Sequence, residues 1–204
     1  MKTYPSINKD IDTNTYIYAF NKLDGSNFRC EWNSKRGFYK FGTRNQLIDE
    51  SSKPFGRAIN LIKDKFESDI SLVCKEQKWR DALFFFEFYG DESFAGNHNF
   101  EKPMTATLID VNPHKMGLLE PTLFLKLFKH LDIPKVLYEG HVNDNFIEKV
   151  KNSKLDGMDL EGVVCKGKYI SPGMPLMFKI KSKAWLNKLK DFCKDDTSLF
   201  ERLA

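Results

Sequence analysis

Residues 83–89 read Leu-Phe-Phe-Phe-Glu-Phe-Tyr, a run so aromatic that a buried strand is the one regular element it suits. In a pleated strand Phe85, Glu87 and Tyr89 share one face, and Phe84, Phe86 and Phe88 the other. Such a strand needs partners, and residues 16–21, 27–32, 38–41, 105–111, 160–165 and 176–180 carry similar apolar or alternating patterns. On 27–32, Phe28, Cys30 and Trp32 point one way while Asn27, Arg29 and Glu31 point the other. Helical spacing occurs between these runs. Pro54, behind a capping Ser52, opens a helix with Phe55, Ile59, Ile62 and Phe66 on one face. Pro121 opens a second helix with Phe124, Leu127, Phe128 and Leu131 inward, and Asp144 caps a third running to Val150. The tail places Trp185, Leu189, Phe192 and Cys193 at helical spacing, then pairs Ser198 with Glu201 in a capping box. An α/β chain is expected.

With 204 residues the chain can fill one core, so a single domain over 1–204 with a short helical tail from about 183 is expected. Lys2, Tyr4, Ser6, Asn8, Lys9 and Asp10 leave no apolar stretch for a signal peptide. The apolar runs around 83–86 and 123–127 are far shorter than the roughly 20 residues that span a bilayer. Four cysteines without a C-x-x-C pair and four histidines without a cluster argue against structural zinc, and suit reduced thiols. A net charge of +4, from 32 basic and 28 acidic residues, decides nothing by itself. What matters for phosphate chemistry is where the lysines fall.

They fall in two informative places. Lys22-Leu23-Asp24-Gly25 sets a lysine at the end of a strand beside a tight turn, where its amine can act as a nucleophile. Alone, that tetrapeptide is equally a hairpin turn with a solvated lysine. In Phe178-Lys179-Ile180-Lys181 the strand period sends Phe178 and Ile180 to the core and both ammoniums to the other side, as in a phosphate clamp. A solvated basic edge strand would read the same. Glu87 lies among aromatics, where a carboxylate is costly unless it is paired or hydrogen-bonded, and a ribose hydroxyl is one suitable partner.

In chain order the elements are Lys22-Leu23-Asp24-Gly25, Thr43-Arg44, Glu87 on its strand, Asp110, Glu161-Gly162-Val163-Val164-Cys165-Lys166, and Lys179-Ile180-Lys181. This series resembles the covalent nucleotidyltransferase superfamily of polynucleotide ligases and capping enzymes, over roughly residues 16–182. Asn27, where DNA ligases carry arginine, is similar to the RNA ligase 2 branch. Only 182–204 follow Lys181, too few for the OB-fold domain of DNA ligases and capping enzymes.

The resemblance implies an α/β nucleotidyltransferase core, ATP-grasp-like, with two antiparallel sheets, flanking helices and the nucleotide in the groove between them. It implies an ATP-dependent RNA ligase in which Lys22 takes AMP from ATP, passes it to an RNA 5′-phosphate, and so allows a 3′-hydroxyl to join. Lys22, Lys179 and Lys181 would be catalytic, with Lys22 lowered in pKa by surrounding positive charge. Asn21, Leu23, Asn27, Arg44, Glu87, Ile109, Lys166, Lys179 and Lys181 would bind nucleotide. Asn21 would read the adenine edge, and Ile109 would stand where an aromatic stacks on it. Glu161 would hold Mg²⁺ or Mn²⁺. The implied partners are ATP and RNA ends, the form a monomer with any accessory part supplied in trans, and the location the cytoplasm of a bacterial or phage-infected cell. A small DNA ligase, a polynucleotide 5′-adenylyltransferase and a non-catalytic RNA-end-binding module remain as alternatives.

Overall fold

A computed structural model describes all 204 residues. In chain order its elements are β1 (Tyr16–Asn21), β2 (Ser26–Asn33), β3 (Gly37–Thr43), β4 (Leu47–Ile48), α1 (Arg57–Glu76), β5 (Asp81–Gly90), β6 (Met104–Pro113), α2 (Pro121–Phe128), β7 (Val136–His141), α3 (Asp144–Lys151), β8 (Gly162–Ser171), β9 (Met174–Lys181), α4 (Lys183–Cys193) and α5 (Thr197–Leu203). The strands form two antiparallel sheets, ordered β4-β3-β2-β5-β6 and β7-β1-β8-β9, so the expected α/β class with two sheets holds. By packing, the chain divides into two compact units.

The first unit comprises Met1–Pro5, Asp24–Ile133 and Tyr169–Pro175, and contains the five-stranded sheet. One face of that sheet buries Phe28, Cys30 and Trp32 from β2 and Phe84, Phe86 and Phe88 from β5. Against it α1 lays Ala58, Ile59, Ile62, Phe66 and Ile70, the stripe its helical period dictates. The Phe66 and Phe86 rings meet with centroids 5.0 Å apart. Each fully buried phenylalanine contributes on the order of 2–3 kcal/mol relative to exposure, so this aromatic layer dominates the unit's stability. Phe85 is buried too, on the opposite face, where the Tyr4 ring packs edge-on at 5.0 Å.

The second unit comprises Ser6–Leu23, Pro134–Lys168 and Leu176–Ala204, with the four-stranded sheet. Its core gathers Ile17 and Ala19 of β1, Val163 and Cys165 of β8, Phe178 and Ile180 of β9, and Phe146, Ile147 and Val150 of α3. Gly162 is required here. Its φ is +133°, and a Cβ would stand 2.1 Å from the Ile180 carbonyl oxygen of the neighbouring strand.

Helix starts differ from the sequence reading. α1 begins at Arg57 behind Gly56, because the hydroxyl of Ser52 is used within the preceding turn on Asp49 rather than on a helix N-terminus. Asn143, not Asp144, caps α3 by accepting from the Phe146 amide at 2.9 Å. Asp196, not Ser198, caps α5 through the Leu199 amide. Pro121 does open α2. All four cysteines are buried free thiols, and no helix is long and apolar enough to cross a membrane.

Candidate functional site

Lys22 follows directly on β1, where its amide donates to the Gly162 carbonyl at 2.9 Å and so fixes its backbone beside the start of β8. The residue before that glycine is Glu161, whose carboxylate is only 4% exposed. Its Oε1 lies 2.8 Å from Lys22 Nζ and 3.3 Å from Lys181 Nζ. Its Oε2 is buried without a hydrogen-bond partner. Residues distant in sequence thus converge on one carboxylate because β1, β8 and β9 are neighbours in one sheet.

On β9 the alternation is as the pattern demands: Phe178 and Ile180 are buried, and Lys179 and Lys181 project from the other side. Lys181 Nζ sits 3.7 Å above the centre of the Trp185 ring and donates to the Leu203 carbonyl at 2.7 Å. Lys179 Nζ donates to the Ala204 carbonyl at 3.3 Å. Burial pushes the Lys181 ammonium down to about 8, against the pull of Glu161 and with help from Lys22 and Lys179. Lys166 is 3% exposed, with Nζ 5.0 Å from the Phe20 ring centre.

Two of the expected site residues have partners that the residue pattern did not show. Lys22 was expected beside Lys166, Lys179, Lys181 and a divalent cation; its Nζ also pairs with the Glu161 carboxylate, which Lys181 shares. Asn21 was expected to offer its amide to a purine. Its Nδ2 donates to Asp159 at 2.5 Å and its Oδ1 accepts from the Asp159 amide at 2.9 Å. This reciprocal pair, 138 residues apart in sequence, ties the segment leading into Glu161 onto the end of β1.

The other candidates are Leu23 and residues of the first unit. Leu23 closes the second unit's β1 segment and is half-buried. In the first unit Glu87 on β5 stands between Asn27 of β2 and Thr107 of β6 and is half-buried. The side-chain amide of Asn27 is buried with neither Nδ2 nor Oδ1 hydrogen-bonded. Arg44 is exposed just after β3. Ile109 occupies a bulge, since Phe85 faces Asp110 while Phe86 faces Leu108, so it is displaced from the regular ladder. Gly25 lies flush on β5, where a Cβ would meet the Phe88 carbonyl oxygen at 2.7 Å and Glu87 Cγ at 2.9 Å.

Sequence reasoning assigned no role to Tyr4. Its hydroxyl donates to the Asp110 carboxylate, and its phenol is pushed well up by burial first, then by Asp110, with Glu87 adding and Arg44 opposing. Those four residues therefore share one electrostatic neighbourhood within the first unit. No sequence signal marks Tyr4, whose partner is 106 positions away.

No three His, Cys, Asp or Glu side chains come together as a metal cage. Glu161 nonetheless suits a hydrated divalent cation. One buried carboxylate oxygen without a partner can supply a single protein ligand, as Mg²⁺ sites completed by water and substrate phosphates commonly need.

No protein-family model matches the sequence, and no similar sequence is found among curated proteins. Solved structures do match. A structure of Naegleria gruberi RNA ligase with pyrophosphate superposes with a TM-score of 0.62 at 17% identity, covering 88% of this chain and 53% of that one. A lysine-to-alanine variant of the same ligase with ATP and Mn gives 0.62 at 18%, covering 92% and 60%. A glutamate-to-alanine variant with AMP and Mn gives 0.61 at 15%, covering 92% and 60%. The chain spans little more than half the length of these proteins. It is similar in fold to the nucleotidyltransferase fold of that RNA ligase.

Proposed function

We propose that this chain is an ATP-dependent RNA ligase core that works through a lysyl-AMP intermediate. The observation that carries the reading is the convergence of Lys22, Glu161 and Lys181 within one sheet of a ligase-like fold. Lys22 leaves its ion pair with Glu161 and passes one proton to solvent before its Nζ attacks the α-phosphorus of ATP, and a second proton to solvent as the adduct forms. An N–P bond forms, and the bond to pyrophosphate breaks. Lys179 and Lys181 offset the negative charge that gathers on the phosphate. A bound Mg²⁺ or Mn²⁺, held through Glu161, would supply further charge neutralisation there.

In the second step a 5′-phosphate oxygen of RNA displaces Lys22 from AMP. In the third a 3′-hydroxyl attacks the activated 5′-phosphate, forms the phosphodiester and expels AMP. Arg44, Glu87 and Asn27 hold the nucleotide or the RNA end, Leu23 and Ile109 offer apolar contact to the base, and Lys166 adds charge. Asn21, with its amide largely engaged by Asp159, keeps one N–H and one lone pair for the purine edge. The similar RNA ligase structures are complexes with pyrophosphate, with AMP and Mn, or with ATP and Mn, the participants such chemistry requires.

RNA preference is tested by sealing matched nicks with either RNA or DNA supplying the terminal 3′-hydroxyl nucleotides. The RNA-terminated nick should seal faster, and added salt should weaken sealing with a log-log slope of roughly −0.9 per phosphate neutralised on duplex. Faster sealing of the all-DNA nick would reassign the substrate and leave the lysyl-AMP step standing.

A further inference from the structure

We propose that His98 is a positioning residue for nucleotidyl transfer, clamping the turn that follows Lys22 against the end of β5. The inference rests on the reading of Lys22 given above. The turn is Asp24-Gly25-Ser26, separated from the nucleophile by Leu23 alone. It is gripped on both sides by residues 93–98 of the loop that follows β5.

On one side, the Ala95 amide donates to Asp24 Oδ1 at 2.8 Å. On the other, His98 Nε2 lies 2.7 Å from Ser26 Oγ. The opposite ring nitrogen, Nδ1, is 2.7 Å from Ser93 Oγ, and that oxygen accepts from the Gly90 amide at 2.8 Å. A directional chain follows if Gly90 N–H donates to Ser93, the Ser93 hydroxyl to Nδ1, and Nε2–H to Ser26. The imidazole then gives one hydrogen bond and takes one, the pattern of the neutral ring. Burial lowers the pKa of His98 from its ordinary value, consistent with a neutral ring.

Both grips are built rather than incidental. Phe94 and Asn97 exchange backbone hydrogen bonds at 3.0 and 2.9 Å around Ala95 and Gly96, whose φ values are +50° and +81°. That is the conformation of a two-residue type I′ hairpin, which holds a non-glycine residue left-handed at Ala95 and turns its amide to Asp24. The imidazole is packed among Phe55, Phe88 and Phe100, with centroids 6.1, 6.3 and 5.4 Å away, so its plane is fixed. Gly25 between the grips lies close on β5, where a Cβ would stand 2.7 Å from the Phe88 carbonyl oxygen and 2.9 Å from Glu87 Cγ and Tyr89 Cβ, so no larger residue fits the turn. His98 therefore fixes the turn after Lys22 at a defined place beside Glu87, without itself reaching the reacting atoms.

The test compares single-turnover formation of the protein–AMP adduct in wild type, His98→Gln, His98→Asn, His98→Ala and Ser26→Ala, with melting temperatures measured in parallel. A glutamine amide reaches the position of Nε2 and keeps the bond to Ser26; an asparagine amide reaches that of Nδ1 and keeps only the bond to Ser93. His98→Gln should stay within about threefold of wild type, whereas His98→Asn, His98→Ala and Ser26→Ala should lose about tenfold or more. The His98→Ala, Ser26→Ala double variant should be no slower than either single one, since both break one contact. Equal rates in all variants, rescue by asparagine as good as by glutamine, or losses that simply follow melting temperature would each overturn the inference. Ser26→Ala, a small change at a half-buried hydroxyl, keeps the test decisive even if His98→Ala does not fold. Wild type without any adduct would refute the nucleotidyltransferase reading, and this one with it; a normal wild-type adduct with undiminished variants would refute this one only.

Discussion

Replacing Glu161 by glutamine removes one negative charge and almost no volume from a carboxylate that two ammoniums share. At an effective dielectric of about 20, unit charges 2.8 and 3.3 Å apart attract by roughly 6 and 5 kcal/mol. Most of that attraction offsets the desolvation of three largely buried groups, so the pairs themselves add little net stability. Glu161→Gln keeps the desolvation and loses the attraction. The loss is limited because Lys181, already lowered to about 8, sheds its proton when the carboxylate charge is gone. A destabilisation of about 2–4 kcal/mol near neutral pH results, somewhat below the roughly 3–5 kcal/mol of breaking a buried pair. At this chain length that is a fall of about 5–15 °C in melting temperature.

The sign with pH follows from linkage. A lysine whose folded pKa lies below its unfolded value destabilises the fold fully below the folded pKa, and the penalty fades as pH climbs toward the unfolded value near 10.4. The gap between wild type and Glu161→Gln, measured by thermal melts from about pH 6.5 to 9.5, should therefore narrow as pH rises through and above about 8. A gap that is constant with pH, or a variant more stable than wild type, would refute the placement of Glu161 between the two ammoniums.

In wild type the deprotonation of Lys181 near pH 8 should produce a falling limb in kcat/KM for adduct formation, and Lys181→Arg, which stays charged, should move that limb to higher pH; superimposable profiles would count against a role for the Lys181 charge. Asn21→Ala should cost about 2–3 kcal/mol, because it strands both the Asp159 amide and carboxylate, and should slow adduct formation by loosening the approach to Glu161; urea unfolding combined with single-turnover rates checks both. Deleting residues 197–204 removes the two carbonyls that accept from Lys179 and Lys181, so ATP should bind more tightly by calorimetry. An unchanged Kd would show that those carbonyls do not compete with phosphate.

What the sequence made legible is whatever depends on local period. The aromatic run in β5 and the alternation of Lys179 and Lys181 with Phe178 and Ile180 read directly, because burial on one face imposes a period of two. β4 was missed because it is two residues long, and β7 because, as an edge strand, it buries none of its residues fully. The start of α1 was misplaced because Ser52, suited to a cap, has a nearer acceptor in Asp49. At the site, residue types and order were readable; pairings across long stretches of chain were not. The engagement of Asn21 by Asp159, of Tyr4 by Asp110 and of Lys181 by Leu203 arises from the sheet order and the path of the termini. None of these leaves a periodic trace.

The central claim is that Lys22 becomes the carrier of AMP. Incubation of the protein with ATP and Mg²⁺, followed by intact-mass measurement under denaturing conditions and peptide mapping, tests it most directly. The account predicts a gain of one AMP, located on the peptide containing Lys22 and absent from Lys22→Ala, which should still fold because Lys181 continues to pair with the Glu161 carboxylate. An undiminished adduct in Lys22→Ala, or an AMP mapped to any other lysine, would contradict it.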